Sequence, residues 1–343
     1  MKTNEKQIEE IREYYNKVNI GFDHTLKYYR TKRFIELTNE LLQNKNYNMC
    51  LDIGCATGVF TELAVRKIPN VVAFDISEEM LKVTKEKIKK LGIKSSLMYI
   101  QGNAERLPFR KGVFDLIILF RVLEYLSVPE QSIQEISRII QPKGSYIGSV
   151  PSRYGLYTAI PFNIVYDAAA KTKNFIMRRK KDNSGADNYY RNFYTPESIR
   201  ELFKKSDLSL DIFAVDYLTI PRLDGFIVRK ALARITEKLS ELATPLKALA
   251  INLVIKGKSV KKGKATANKS ILACPFCKKD VELKGKFAVS KCGLKYLIHN
   301  NIIRMQYPLC PKCNSITCLV GETKSKVQFI CRKCGGNLVS DNA

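Results

Sequence analysis

The chain contains no tryptophan and only two histidines among its 343 residues. It has no run of about 18 apolar residues, the length that a membrane-spanning helix needs. Residues 1–6 also lack the apolar segment of a signal peptide. These absences argue against a membrane-spanning helix and favour a cytoplasmic protein whose thiols are reduced.

The common phosphate-binding signatures, G-x-G-x-x-G and G-x-x-x-x-G-K-[ST], are absent as well. The chain instead has an apolar strand at 50–53 that runs into Gly54 and Gly58, and a helical pattern then begins at Phe60. The next strand ends at Asp75, seventeen residues past Gly58. A glycine turn lets a ligand approach the backbone, and a carboxylate that ends the following strand suits ribose hydroxyls. The pattern predicts a nucleoside-bearing cofactor, and a generic strand-turn-helix is the alternative.

Apolar strands and amphipathic helices continue to alternate along the chain. Strands are predicted at 97–101, 113–120, 145–150, 208–217 and 248–255. Helices are predicted at 132–140 and from Pro196 to about 205, with Thr195 as N-cap and a turn at 142–144 before the fifth strand. This alternation indicates an α/β fold with a mainly parallel sheet covered on both faces.

In this order the segments resemble class I S-adenosylmethionine-dependent methyltransferases, in particular the group that includes the ubiquinone and menaquinone biosynthesis enzymes. The resemblance implies a Rossmann-like seven-stranded sheet with a helical lid. It also implies that S-adenosylmethionine is held by a set of residues in the first four strand ends: Asp52, Gly54, Cys55, Gly58, Asp75, Ile76, Asn103, Ala104, Glu105, Phe120 and Arg121.

Two residues of this chain differ from those that the group commonly has at the same positions. Asn103 stands where the group commonly has aspartate, but its amide oxygen can still accept a hydrogen bond from an adenine amino group. Tyr125 stands where many relatives have histidine after Glu124. The second departure argues against a histidine-based mechanism.

The formal charge is +25, from 58 basic and 33 acidic residues, and it is unevenly distributed. Lysine and arginine cluster without acids at 171–181 and at 256–269. Such clusters attract phosphate-bearing partners, either RNA or an anionic membrane surface, and the latter would place the protein peripherally at a membrane. A solvated surface that keeps the protein soluble is the alternative.

The composition predicts five consecutive regions. A helical lid spans 1–45, and the methyltransferase domain spans 46–255 with a cap insertion at about 153–194. A second insertion at 224–247 has the pattern of a basic amphipathic helix, which either lies on a membrane or packs on its own core. A basic linker at 256–270 precedes two cysteine-rich modules, at 271–306 and 307–343.

Eight of the ten cysteines follow the linker. In the last module they form a C-x2-C…C-x2-C pattern from Cys310, Cys313, Cys331 and Cys334. Four thiolates at this spacing suit tetrahedral zinc, and disulfides fit a cytoplasmic chain poorly. We therefore predict a zinc ribbon with a structural zinc ion.

The preceding module, 271–306, is similar to the small zinc-binding activator subunit of tRNA and translation-factor methyltransferases. It carries Cys274, Cys277 and Cys292, whereas the fourth cysteine of that family is replaced by Val289. His299 is one candidate for the fourth ligand, and a zinc-free fold held by apolar strands is the alternative. For both modules we expect a role in stabilising the enzyme or recruiting a protein partner, because closed zinc sites have no open coordination position.

The expected activity is methyl transfer to a small-molecule or lipid-linked acceptor. Transfer from a sulfonium is an in-line displacement, so the enzyme contributes mainly proximity and alignment. An unactivated acceptor needs a base, and the candidates are His24, Glu124, Tyr189 and Tyr190. Two alternatives stay open: an RNA methyltransferase that uses its basic surface and zinc modules, and a non-catalytic binding protein.

Overall fold

The computed structural model describes residues 2–18, 29–43, 45–93, 95–154, 192–215, 235, 250–263, 270–322, 326–331 and 333–341. Several predictions on the sequence lie outside these residues. They are the larger part of both insertions, the basic cluster at 171–181, and the candidate bases His24, Tyr189 and Tyr190.

Seven strands form the central part of a mixed sheet in the order β6-β7-β5-β4-β1-β2-β3. Six of them run in the same direction, and β7 runs antiparallel to its neighbours β5 and β6. The strand bounds are Met49–Ile53 (β1), Asn70–Asp75 (β2), Ser96–Gln101 (β3), Phe114–Phe120 (β4), Ile140–Pro151 (β5), Asp211–Val215 (β6) and Asn252–Lys258 (β7). This order confirms the predicted Rossmann-like class I methyltransferase fold.

Successive residues of a strand point to opposite faces of the sheet, so apolar strands make both faces apolar. Helices cover both of these faces. On β1, Leu51 and Ile53 enter one apolar core, and Cys50 enters the other beside Phe34 and Ile88. The helices are Lys2–Val18 (α1), Tyr29–Gln43 (α2), Val59–Val65 (α3), Glu78–Lys90 (α4), Pro129–Ile139 (α5) and Pro196–Phe203 (α6). No helix in the described part of the chain is both long enough and apolar enough to cross a bilayer.

The start of α6 confirms the predicted cap. Thr195 Oγ1 accepts a hydrogen bond from the Ser198 amide at 3.1 Å, and Ser198 Oγ accepts one from the Thr195 amide at 2.8 Å. The exchange satisfies two amides that an α-helix leaves without partners. Pro196 occupies the first turn, where its missing N–H costs nothing.

The boundaries of β5 and β7 differ from the predicted ones. The predicted turn at 142–144 is an irregularity inside β5: Lys143 has a φ of 61°, and the ladder to β4 shifts register between Phe114 and Leu116. β7 ends at Lys258, three residues beyond the predicted domain boundary at 255. The predicted linker therefore begins as a sheet strand. Two lysines of its basic cluster contact their own chain, since Lys256 Nζ lies 4.2 Å from the Phe213 ring centroid and Lys261 donates to the Ser137 carbonyl.

The first cysteine-rich module continues the main sheet. Its strands are Val281–Lys284 (β8), Phe287–Ser290 (β9), Lys295–His299 (β10) and Ile302–Arg304 (β11). They form an antiparallel set, and β11 pairs in parallel with β3, with Ile303 opposite Ile100. The sheet thus reaches eleven strands within the described residues.

Charged side chains fasten this module to the methyltransferase domain. Arg304 Nη2 lies 2.6 Å from Glu78 Oε1, and Lys278 Nζ lies 2.7 Å from Glu135 Oε2. Lys278 also donates to the Leu107 carbonyl at 3.4 Å. Glu135 is largely buried, and its hydrogen bonds and charge contacts with Arg138 and Lys278 lower its pKa although burial acts in the opposite sense.

The last module is a separate three-stranded sheet of Cys318–Glu322 (β12), Lys326–Ile330 (β13) and Asn337–Asp341 (β14). Its Phe329 ring packs edge-on against Phe276 of the preceding module, with ring centroids 4.9 Å apart. Phe276 in turn faces the guanidinium of Arg106, 5.2 Å from its ring centroid. The contacts of Phe329 with Phe276 and of Phe276 with Arg106 therefore connect the ribbon to the loop after β3.

Candidate functional site

A cavity of about 320 Å³ opens at the carboxyl ends of β1, β2 and β4 and is covered by α1 and α2. In parallel α/β sheets ligands bind in this position, outside the strand ends. Nine of the eleven predicted cofactor residues line it, namely Gly54, Cys55, Asp75, Ile76, Asn103, Ala104, Glu105, Phe120 and Arg121. Asp52 and Gly58 do not line it.

The turn after β1 is held against the end of β2. The amides of Gly54 and Cys55 both donate to the Phe74 carbonyl, at 2.7 and 3.1 Å. Gly54 has a φ of +66°, and a Cβ at this position would lie 2.6 Å from Cγ2 of Val122. Only glycine combines this left-handed conformation with so close a neighbour.

Asp75 ends β2 with its carboxylate oriented by two backbone amides. Oδ2 accepts from the Ala56 amide at 2.9 Å, and Oδ1 accepts from the Ser77 amide at 2.8 Å. Each oxygen keeps a further lone pair for the two hydroxyls of a ribose. Burial raises the pKa of Asp75 to about 6, although the backbone hydrogen bonds oppose the shift.

Asp52 and Gly58 support the turn from beneath the cavity wall. Asp52 is almost fully buried and accepts a 2.6 Å hydrogen bond from Thr61 Oγ1, and burial raises its pKa to about 7. Gly58 has a φ of +78°, and a Cβ there would lie 2.6 Å from Thr84 Cγ2. Both residues position the turn through neighbouring side chains and do not reach the cavity themselves.

The segment after β3 forms the wall next to Asp75. Asn103 Oδ1 accepts from the Glu105 amide at 2.9 Å, so its amide oxygen has one lone pair left for the adenine contact that the sequence predicts. Glu105 Oε1 accepts from the amides of Ser127 and Val128 at 2.7 and 2.8 Å. Glu105 therefore ties this segment to the loop that leads into α5.

The candidate base Glu124 is fully buried and does not line the cavity. Its Oε1 lies 2.7 Å from Nε of Arg121, whose Nη1 donates to Asn252 Oδ1 at 3.0 Å. Burial alone would lower the pKa of Arg121, but the Glu124 carboxylate raises it on balance. In this arrangement Glu124 pairs with the Arg121 cation at the cavity wall, and its own carboxylate does not line the cavity.

Aromatic side chains form much of the remaining wall, and among them Phe34 and Tyr15 carry no sequence signal that marks them as site residues. Phe120 lies between the rings of Phe34 and Phe60, with centroids 4.9 and 4.2 Å away. Tyr15 of α1 meets Tyr125 edge-on at 5.7 Å. The only sequence signal for α1 is the spacing of Ile8, Ile11 and Tyr15, which marks one helix face without showing what it covers.

A side-chain hydrogen bond connects α1 to the Asp75 side of the cavity. Ser77 Oγ, at the N-cap of α4, donates to Asn16 Oδ1 at 2.7 Å. Ser77 also provides the amide that binds Asp75. The position of α1 is thus coupled to the orientation of the Asp75 carboxylate.

Two groups of thiols have the chemistry of zinc sites. In the ribbon, the Sγ atoms of Cys310 and Cys334 lie 3.6 Å apart, and those of Cys313 and Cys331 lie 3.5 Å apart. A tetrahedral zinc ion with bonds of 2.3 Å separates its sulfur ligands by about 3.8 Å. The four ribbon cysteines therefore fit zinc in number, chemistry and spacing.

The second group consists of Cys274, Cys277 and Cys292, whose sulfur atoms all lie within 4.8 Å of one another. The hypothesis that His299 completes it is wrong for this structure. His299 Nδ1 lies 3.2 Å from Arg304 Nη2 and 3.7 Å from Glu78 Oε1, at the β11 side of the module. The side chain is therefore engaged away from the thiols.

Residues 51–148 match the protein family described as "Methyltransferase domain". An uncharacterized protein of Methanocaldococcus jannaschii is 28% identical over 245 residues, which cover 69% of this chain and 91% of that protein. The ubiquinone/menaquinone biosynthesis C-methyltransferase UbiE of Pasteurella multocida is 33% identical over 97 residues. This match covers 27% of this chain and 36% of that enzyme, so the chain spans little more than a third of its length.

Among solved structures, the chain is similar to a chain of the complex between the Haloferax volcanii Trm112 methyltransferase activator and a methyltransferase. The TM-score is 0.47 at 15% sequence identity, over 74% of this chain and 98% of that chain.

The strand order, the glycine turn and the acid at the end of β2 define a class I methyltransferase domain. The family match over residues 51–148 agrees with this assignment. This part of the chain is an S-adenosylmethionine-dependent methyltransferase domain.

Replacing Gly54 by valine tests the turn. We expect Gly54→Val to weaken binding of S-adenosylhomocysteine by more than about tenfold in calorimetry, or about 1.4 kcal/mol, because the new side chain displaces Val122 from the wall. Gly92→Ala is the matched control, since Gly92 also has a positive φ, of 61°, but a Cβ there meets no atom within 4 Å. Equal binding by the Gly54 variant would contradict the assignment of this turn to the cofactor.

The raised pKa of Asp75 predicts a pH dependence of cofactor binding. Only the ionised carboxylate can accept hydrogen bonds from two ribose hydroxyls, so we expect the affinity for S-adenosylhomocysteine to fall as the pH drops through about 6. Asp75→Asn should bind more weakly and lose this inflection in calorimetric titrations from pH 5 to 8. An inflection that persists in Asp75→Asn would assign the titrating group to Asp52, whose pKa is about 7.

Proposed function

We propose that this protein transfers a methyl group from S-adenosylmethionine to a small-molecule or lipid-linked acceptor. The observation that carries the proposal is the cavity of about 320 Å³, which is lined by Asp75 and by aromatic side chains from α1 and α2. A cavity of this size and lining is typical of sites for small organic ligands.

In this proposal, the residues of the cavity supply alignment. The Gly54–Ala56 turn and Asp75 hold the donor by its methionine and ribose parts, and the 103–105 segment meets the adenine. The methyl group then faces the aromatic rings beside Phe120. In-line displacement at a sulfonium gains its rate mainly from holding the acceptor atom in line with the methyl group, and exclusion of water by α1 and α2 assists this.

The wall also indicates the chemistry of the acceptor. The rings of Tyr14, Tyr15 and Tyr125 all line the cavity, and Tyr15 meets the other two edge-on with centroids 5.2 and 5.7 Å away. Such an aromatic wall suits a planar acceptor. The same wall carries Arg121. Its charge is compensated by Glu124, so the cation does not repel the sulfonium strongly.

An RNA acceptor receives less support from the described residues. Of the basic cluster at 256–269, Lys256 and Lys261 already contact an aromatic ring and a backbone carbonyl of their own chain. The aromatic rings of the wall lie inside the cavity, whereas single-stranded RNA is usually bound by rings along an open basic groove. Methylation of RNA is therefore kept as one outcome of the labelling experiment described below.

We also propose that the 271–306 module works as a built-in activator of the domain, as its similarity to the zinc-binding activator subunit suggests. The β3–β11 pairing supports the strand that leads into the adenine-facing segment. The Ala273 amide donates to the Pro108 carbonyl at 2.9 Å, and the Arg110 amide donates to the Ile271 carbonyl at 3.0 Å. In this proposal the module keeps residues 103–110 in their binding conformation.

Zinc is the cofactor we propose for both thiol groups. Its role is structural, because the ribbon cysteines fill all four positions of a tetrahedral ion. In the 271–306 module the metal would fix the knuckle at 274–277, and the Lys278 attachment follows it directly. The metal would thereby stabilise the contact with the loop after β3.

Incubation of the protein with methyl-labelled S-adenosylmethionine and fractionated lysate tests the acceptor class. We expect label in the lipid or metabolite fraction, and Tyr15→Ala should reduce the rate of labelling while leaving the affinity for S-adenosylhomocysteine unchanged. Tyr154→Ala is the control, because Tyr154 is 52% exposed and lies outside the cavity wall. Label in RNA would replace this proposal with the RNA alternative, and no label would indicate a binding protein.

Replacing Lys278 by methionine tests the built-in activator. We expect Lys278→Met to lower the free energy of unfolding by about 1–3 kcal/mol, because Leu107 and Glu135 lose a buried partner. The folded variant should also bind S-adenosylhomocysteine several-fold more weakly. Lys284→Met is the control, since the Lys284 side chain is 64% exposed. Lower stability with unchanged binding would limit the module to a structural role.

A further inference from the structure

The thiol group of the 271–306 module lacks one ligand for a structural zinc ion. Structural sites in proteins are almost always four-coordinate, and the ribbon of this same chain supplies four cysteines. Cys274, Cys277 and Cys292 supply three, and His299 lies elsewhere. The remaining donor therefore has to come from a side chain next to these sulfur atoms, or from solvent.

Tyr296 lies beside this group with its phenol oxygen toward the thiols. It is the second residue of β10, its side chain is fully buried, and its Oη lies 3.3 Å from Sγ of Cys274. The Sγ atoms of Cys274 and Cys292 are 3.9 Å apart. Zinc bonds of 2.3 Å to sulfur and 2.0 Å to oxygen separate two sulfurs by about 3.8 Å and a sulfur from an oxygen by about 3.5 Å.

A divalent cation bound to these thiols would also stabilise the phenolate of Tyr296, as it stabilises a bound thiolate.

Ser290 is the competing hydroxyl, since its Oγ accepts from Sγ of Cys292 at 3.1 Å and from the amide of the same cysteine. A phenol, with an ordinary pKa of about 10, ionises far more readily than the alkyl hydroxyl of serine. The carboxylate of Asp280 is not grouped with these thiols, and it pairs with Lys291 at 2.9 Å and with Arg110 at 2.7 Å. Tyr296, in contact with Cys274, is therefore the oxygen ligand that the chemistry favours.

We propose that Tyr296 is the fourth ligand of the metal in this module, which makes the site three thiolates and one phenolate. Binding of the metal displaces the phenol proton to solvent together with the thiol protons, and no redox step is involved. The proposal rests on zinc binding by the module and is independent of the methyl acceptor.

A titration of the metal-free full chain with zinc tests this ligand directly. Conversion of a buried phenol to phenolate gives a difference band in the near ultraviolet, and we expect one phenolate per two zinc ions bound. Tyr296→Phe should lose the band and release one proton fewer in calorimetry carried out in two buffers. Ser290→Ala is the matched control, because it removes a neighbouring hydroxyl, and it should keep the band.

The outcomes separate this inference from the proposal on which it rests. Two zinc ions without a phenolate band would overturn Tyr296 as a ligand and leave the module as a metal site. One zinc ion, abolished by Cys331→Ser and unaffected by Cys277→Ser, would show that the module binds no metal and would overturn both. Because the band is measured on the unaltered chain, the result does not depend on whether Tyr296→Phe folds.

Discussion

The two hydrogen bonds from the amides of Gly54 and Cys55 to the Phe74 carbonyl are the constraint on which the site depends. They close the turn of β1 onto the end of β2, and this closure places the Ala56 amide against Asp75. The oriented carboxylate then connects, through Ser77, to α1 above the cavity. Donor site and lid are thus consequences of how one strand end meets its neighbour.

The same sheet explains why the C-terminal module belongs to the enzyme. An exposed parallel strand presents unpaired amides and carbonyls, and such edges need a cover. Here β11 covers β3 at the strand that leads into residues 103–105 of the cavity wall, and ion pairs at Glu78 and Glu135 secure it. The module therefore covers a sheet edge and contacts the domain beside the cavity wall.

Much of the fold follows from patterns that the chain displays locally. Apolar runs of five to seven residues marked the parallel strands, and Thr195 with Pro196 marked the start of α6, because these signals act within a few residues. The predicted turn at 142–144 became an irregularity in β5, since local turn signals do not show that flanking residues continue to pair with β4. Propensity near a strand end is commonly overridden by pairing in this way.

The candidate site was predictable where its chemistry resides in one short motif. Gly54 and Asp75 follow from their positions after β1 and β2. Three other features were not predictable from the sequence. They are the pairing between β3 and β11, the position of Tyr15 above the cavity, and the position of Tyr296 beside the thiols. Each joins residues that are far apart in the sequence, or depends on which way a buried side chain points. Glu124 shows the converse, since the sequence offered it as one candidate base and the structure buries it in an ion pair with Arg121.

The β3–β11 pairing also has a consequence for biosynthesis. About two hundred residues separate the two strands, so β3 is made long before its partner leaves the ribosome. Contacts between such distant segments form slowly, because the loop must close before they contribute. Throughout this interval the strand beside the donor site has an open edge that can pair with other chains. Yield and solubility of this protein should therefore depend on completing its last quarter, although the residues that mark its chemistry lie in its first half.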